Sequence, residues 1–203
     1  MFERHIIIAN VRSISKGGEI ILEDLANAIR SKNGQRAVSK NWKNWIAQID
    51  LKTCKPCSTM HGKIFPMREL LSVRPPLHPF CRCKIKPMDA ITSGYATQDG
   101  TAGADYWLKM YGQLPPNYIN KTALLAAGWY RGQAPSGYVP GKMATMGIYQ
   151  NRDGHLPSAP GRIWYEADIN YYSGKRNSQR VLWSNDGLVF VSYDHYRTFV
   201  EII

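Results

Sequence analysis

No stretch of this 203-residue sequence approaches the roughly 18 consecutive apolar residues that a membrane-spanning helix needs. The opening residues offer only Ile6 to Ala9 as an unbroken apolar run, after Glu3, Arg4 and His5. That is too short for the core of a secretory signal peptide, so none is expected. Cysteine is scarce: the four residues all fall between positions 54 and 83, which excludes a disulfide-dense mini-protein. Composition also excludes collagen and coiled coil, and 44% hydrophobic residues are too many for a disordered chain.

Acidic residues are in short supply too. The chain carries 26 Lys+Arg against 15 Asp+Glu, a formal net charge of +11. Residues 1–98 hold 16 basic and 7 acidic side chains, a net of +9, whereas residues 99–203 hold 10 and 8, a net of +2. A positive excess favours polyanionic partners without naming one. The asymmetry divides the chain into a basic helical and Cys/His-rich module over 1–92, a small, polar linker over 93–102 and a second domain over 103–203.

In the first module, Leu22, Leu25 and Ile29 mark one stripe of a helix over 21–30. Residues 31–45 are polar and basic, with Trp42 and Trp45 three apart. Cys54 and Cys57 then form a C-x-x-C, and His78, Cys81 and Cys83 follow about 24 residues later. Paired soft ligands at this spacing point to a structural zinc ion, with five candidates for four positions. The second pair of donors is open between His78–Cys81 and Cys81–Cys83. Two rival readings stay open: a pair of disulfides, or a redox C-x-x-C. His61 is read as a surface residue.

The runs DLKTCKPC at 50–57, HGKIFP at 61–66 and PPLHPFCRC at 75–83 resemble the C-terminal part of phage minor head (head-morphogenesis) proteins, over about residues 47–88. The resemblance implies an attachment or delivery module rather than an enzyme.

In the second domain, residues 103–112 read as a short helix closed by Gly112. A second helix follows the N-cap Asn120, runs to Ala127 and stops at Gly128. From Ile163 the period becomes two: Ile163, Tyr165, Ala167 and Ile169 alternate with Trp164, Glu166, Asp168 and Asn170. Strands over 179–184 and 188–193 flank the turn Asn185-Asp186-Gly187, and a last strand covers 197–202. This order predicts an α+β domain: two short N-terminal helices packed on an antiparallel sheet, preceded by a small helical or irregular zinc-pinned module. Glu166 and Arg180 are expected on the exposed face, away from Ala167, Val181 and Trp183, with Arg176 and His195 nearby. A carboxylate, an imidazole and two guanidiniums on one surface are what phosphodiester chemistry requires: a base, an acid and fixed cations.

The block NRDG at 151–154, WYEADINY at 164–171, SGKRNSQRVL at 173–182, SNDG at 184–187 and DHY at 194–196 resembles the barnase-type guanyl-preferring microbial ribonucleases. ADY at 104–106, NYI at 117–119, Lys121 and Gly128-Trp129 extend the likeness over about 100 residues. The resemblance implies the microbial ribonuclease fold, with Glu166 as general base and His195 as general acid. It implies that Lys121, Arg176 and Arg180 surround the scissile phosphate and that Tyr196 stands beside the acid. The loop containing Tyr149, Asn151, Arg152 and Asp153 would recognise guanine, by stacking and edge hydrogen bonds. Gly147 departs from the pattern, standing where the family usually has an aspartate. No cofactor is implied for catalysis.

The function so implied is a metal-independent endoribonuclease that cleaves single-stranded RNA to a 2′,3′-cyclic phosphate, acting as a toxin or effector. Its expected partners are RNA, a barstar-like or other immunity protein, and a phage particle or delivery apparatus. Its expected route is non-classical or phage-like export to a target cytoplasm. The competing reading is a catalytically inactive phage-related structural or adaptor protein.

Overall fold

The computed structural model describes residues 36–203, so the helix expected over 21–30 lies outside the described residues. Within them the chain is α+β. The strands are β1 (Arg36–Ile46), β2 (Ile64–Pro66), β3 (Lys84–Ile91), β4 (Tyr118–Asn120), β5 (Met143–Tyr149), β6 (Trp164–Asp168), β7 (Arg180–Ser184), β8 (Val189–Ser192) and β9 (Val200–Ile202). The α-helices are α1 (Lys55–Met60), α2 (Ala104–Tyr111) and α3 (Lys121–Ala126). All nine strands join one sheet in the order β2-β1-β3-β9-β8-β7-β6-β5-β4.

Two expectations are corrected by this topology. The sheet is mixed: β3 runs parallel to β9, pairing Ala90 with Glu201 and Ile91 with Ile202, and β4 runs parallel to β5. The described part of the first module, residues 36–92, also holds three strands where irregular segments were expected, with α1 its one helix among the described residues. Its long β1 is antiparallel to both β2 and β3, and its register slips between Val38 and Lys43. There Ser39 Oγ accepts from the amides of Asn41 and Trp42, which takes up the extra backbone. On a strand, positions three apart face opposite ways. Trp42 therefore packs with Ile64, Met88 and Phe190, while Trp45, fully buried, packs with Ala47, Cys57 and Cys83.

The helices of the second domain follow local signals. Gly112, at φ +68°, ends α2 and its N–H bonds to Leu108 O. Asn120 caps α3 by accepting from the Ala123 amide. The stretch 93–102 is anchored to α2, because buried Asp105 accepts from the amides of Gly94 and Ala96 and from Thr97 Oγ1. The last strand is shorter than expected, since residues 194–199 form a turn that Asp194 holds.

The sheet is covered on both faces. On one, Ala104 and Leu108 of α2 meet Ala167, Ile169, Val181, Val189, Val191, Val200 and Ile202. On the other, Trp164, Leu182 and Phe190 are buried with Leu156, Phe199 and the first module's Trp42, Ile64 and Met88. The face expected to be exposed is thus dry along part of its length. Phe190 has no exposure, and Trp42 meets its ring edge-on at 6.2 Å. Phe190→Ala is expected to lower the unfolding free energy by about 3–5 kcal/mol in chemical denaturation of the full chain. A loss below about 1 kcal/mol would show that this second face is not packed.

Candidate active site

Where β5 and β6 leave the covered part of this face, the strands open into a cleft of about 470 Å³. It is lined by residues 148–153, His155, Glu166 and 195–197. The sheet places Glu166, half-buried on β6, between Gly147 of β5 and Leu182 of β7. Gly147 sits at φ +84° beside a register slip, a backbone shape that an aspartate would adopt only with strain. Tyr196 donates its hydroxyl to Glu166 Oε2, and its ring stacks on Tyr149 at 5.1 Å. Burial and the Glu166 carboxylate hold the Tyr196 phenol well above the usual tyrosine range. Burial, with the Asp153 and Glu166 charges, pushes Tyr149 up to about 12.

His195 and Tyr196 both have positive φ, +58° and +68°. This turn is held from several sides. The Asp194 carboxylate accepts from Ser192 Oγ, from the amides of Arg197 and Thr198 and from Thr198 Oγ1. The Tyr196 amide donates to Ser192 Oγ, and the His195 amide donates to Ser178 O at 3.1 Å. The imidazole of His195 stays exposed, with its ring 4.8 Å from that of Tyr196. Across the cleft, Asn151 at φ +46° makes reciprocal bonds with the Leu156 main chain, which closes the loop carrying exposed Arg152 and Asp153.

Of the expected site residues, the cleft brings together Glu166, His195, Tyr196, Tyr149, Asn151, Arg152 and Asp153. Arg176, Arg180 and Lys121 are not among the side chains lining it. Lys121 is exposed at the first turn of α3. The two arginines converge instead on Asp168, a carboxylate with no exposure. Arg176 grips it with both prongs, at 2.7 and 2.6 Å, and Arg180 Nε lies 3.1 Å from Oδ1 as a close ion pair without an aligned hydrogen bond. Arg180 is itself buried and donates Nη1 to the carbonyls of Asn177 and Gln179. The expectation of an arginine on an exposed face is corrected accordingly: two-sided burial of the sheet encloses it. The guanidinium of the cleft rim that went unremarked is Arg197.

Asp168, Asp194 and His155 were missed as contributors. Asp168 had a signal, lying two residues after Glu166 on the same face and opposite Arg180. Asp194 had one as well, preceding the histidine with Thr198 four positions on. His155 had none, because its partners Ile64, Tyr196 and Phe199 all lie more than 40 positions away along the chain.

The cysteine cluster is the second chemically notable centre. Its four cysteines form no disulfide. His78 Nε2 lies 3.2 Å from both Cys54 Sγ and Cys57 Sγ, and Cys57 Sγ lies 3.7 Å from Cys81 Sγ. Two ligand groups result, Cys54–Cys57–His78 and Cys57–Cys81–Cys83, with Cys57 common to both. His78 Nδ1 donates to Pro79 O at 2.7 Å, which leaves the Nε2 lone pair free to serve as a metal ligand beside the sulfurs. Backbone amides, that of Cys57 foremost, lower the Cys54 thiol, and those near Leu77 and Cys83 bring Cys81 down to about 6. Clustered donors of this kind, at tetrahedral-ligand spacings, fit a soft divalent ion. His61 is half-buried rather than on the surface, with Nδ1 accepting from the Ala47 amide.

Residues 102–203 match the family model described as ribonuclease. The chain belongs to the ribonuclease family. A ribonuclease of Heyndrickxia coagulans is 47% identical over 107 residues, which cover 52% of this chain and 95% of that protein. Ribonucleases of Bacillus intermedius and Bacillus pumilus are likewise 47% identical over 107 residues, here covering 64% of each. Residues 21–86 match the model of Phage Mu protein F like protein, reaching farther upstream than the cysteine-containing runs.

Asp168→Asn is expected to destabilise this ribonuclease by about 3–5 kcal/mol, read by urea unfolding, because it strands two guanidiniums that the carboxylate neutralises. Unchanged stability would mean that the buried pair carries no net charge coupling.

Proposed function

We propose that the chain is a metal-independent endoribonuclease, cleaving single-stranded RNA by transphosphorylation to a 2′,3′-cyclic phosphate with a preference for guanine. The observation that carries this reading is the meeting of Glu166 and His195 in one cleft, with a stacked tyrosine pair beside them. Glu166 takes the proton of a ribose 2′-hydroxyl, which attacks the adjacent phosphorus. His195 protonates the departing 5′-oxygen. In a second step the roles reverse and water opens the cyclic ester. Tyr196 holds the base carboxylate through its hydroxyl, and its ring lies 4.8 Å from that of the acid His195.

Arg176, Arg180 and Lys121 supply positive potential near the phosphate, the arginines from the Asp168 network and Lys121 from the start of α3. Tyr149 offers a base platform, and Asn151, Arg152 and Asp153 shape the guanine-reading edge. DNA binds through its phosphates but lacks the attacking hydroxyl. The nucleophile thus comes from the substrate and the positive charge from side chains, so the reaction needs no cofactor.

The cysteine cluster is proposed to hold structural zinc through Cys54, Cys57 and His78, with the fourth ligand from Cys81 or Cys83. In this reading the chain is a toxin or effector delivered with the help of its phage-related module. The cleft of this basic chain would be covered in the producer by an acidic immunity protein.

His195→Ala and Glu166→Gln are each expected to lower cleavage of a defined single-stranded RNA by at least ~100-fold, with cyclic ends found by mass spectrometry of wild-type products. Near wild-type rates in either variant would reject the assignment of base and acid, and a wild-type chain that cleaves no RNA would favour the inactive-adaptor reading. Metal analysis is expected to find zinc in the wild-type chain and to lose it in Cys57→Ser, the ligand common to both groups. Retention in Cys57→Ser would remove the zinc proposal.

A further inference from the structure

The phage-related segment does more than adjoin the ribonuclease. Its turn at residues 61–64, between α1 and β2, reaches the two loops that form the cleft. The Ile64 amide donates to His155 O at 2.9 Å, on the loop that carries Arg152 and Asp153. Gly62 is buried, and a Cβ there would stand 2.6 Å from Arg197 O and 3.9 Å from the His155 ring. Arg197 lies two residues beyond His195. His155 ties the two loops together: its Nδ1 donates to Tyr196 O at 3.2 Å, and its ring meets Phe199 edge-on at 6.1 Å. Gly62 is fixed in turn by the hydrogen bond that its amide donates to Trp45 O, deep in the cysteine module. The same module covers the neighbouring face with Trp42, Ile64 and Met88.

We infer that Gly62, Ile64 and His155 form a brace by which the phage-related module positions the His195–Tyr196 turn and the 151–156 loop for catalysis. The inference rests on the proposed ribonuclease site and deepens it. Neither Gly62 nor Ile64 touches the reacting atoms; they act through Arg197 O and His155 O. The positive φ of His195 and Tyr196 makes such support consequential, because a turn of that shape persists only when its surroundings hold it. Gly62 is the sole residue type that fits, since both its φ of +82° and its contact with a main-chain oxygen exclude a Cβ.

The test uses the full chain. Gly62→Ala is expected to raise hydrogen–deuterium exchange within 151–156 and 194–199. On a guanine-containing single-stranded oligoribonucleotide it is expected to lower kcat by about 10-fold or more, with KM changed by less than about threefold. His155→Ala is expected to lower kcat similarly, and His155→Asn, which returns an N–H near the position of Nδ1, to recover most of the loss. Should Gly62→Ala not fold, the His155 pair decides. Unchanged exchange, or wild-type kcat in Gly62→Ala and His155→Ala, would overturn the brace. If the wild-type chain cleaved no RNA, the proposed function would fail while the exchange measurement still judged the brace.

Discussion

The carboxylate of Asp168 is the constraint from which the rest of the cleft follows. A fully enclosed charge loses several kcal/mol of hydration, and only close pairing offsets that loss. Arg176 and Arg180 provide the pairing, and their positions then cease to be free. Arg180, drawn inward, turns its other prong to the carbonyls of Asn177 and Gln179, which sets the loop between β6 and β7. That loop presents Ser178 O to the His195 amide. One buried anion thus orders the cations around it and, through three links of backbone, the turn that carries the imidazole.

Much of this could be read from residue order, and the failures have identifiable causes. Alternation along 163–169 located β6 and the face of Glu166, because side chains on a strand must alternate. It misjudged how wet that face is. Trp164, Leu182 and Phe190 were the warning, being large apolar groups on the side taken as polar, and a sheet buried on both faces reads as a continuous apolar run. β1 was obscured by its register slip, which breaks the period of two. β3 was obscured by Pro87, a residue that normally argues against a strand within a sheet. The caps at Gly112 and Asn120 were legible because they are local chemistry. The brace at Gly62 was not, because its partner Arg197 lies far along the chain.

The family matches divide the chain near residue 90, yet the sheet does not stop there. Main-chain pairing continues from β9 into β3, and apolar packing continues from Phe190 to Trp42. Glu201 illustrates the cost of the junction. It sits on β9 under this cover with Asn41 near one oxygen, and its other oxygen has no hydrogen-bond partner among the described residues. A glutamate on an uncovered strand would be hydrated at both. The cysteine cluster packs against Trp45, in the module that leans on the cleft.

The parallel pairing of β3 with β9 has a temporal consequence. Parallel neighbours cannot be joined by a tight turn, and here the intervening chain is the whole ribonuclease segment. During synthesis the seat between β3 and β8 stays vacant until residues 200–202 have left the ribosome, directly after the turn that bears the imidazole. A nascent chain therefore carries an unfinished sheet through the making of the whole intervening segment, and β3 gains its inner neighbour only once β9 has emerged.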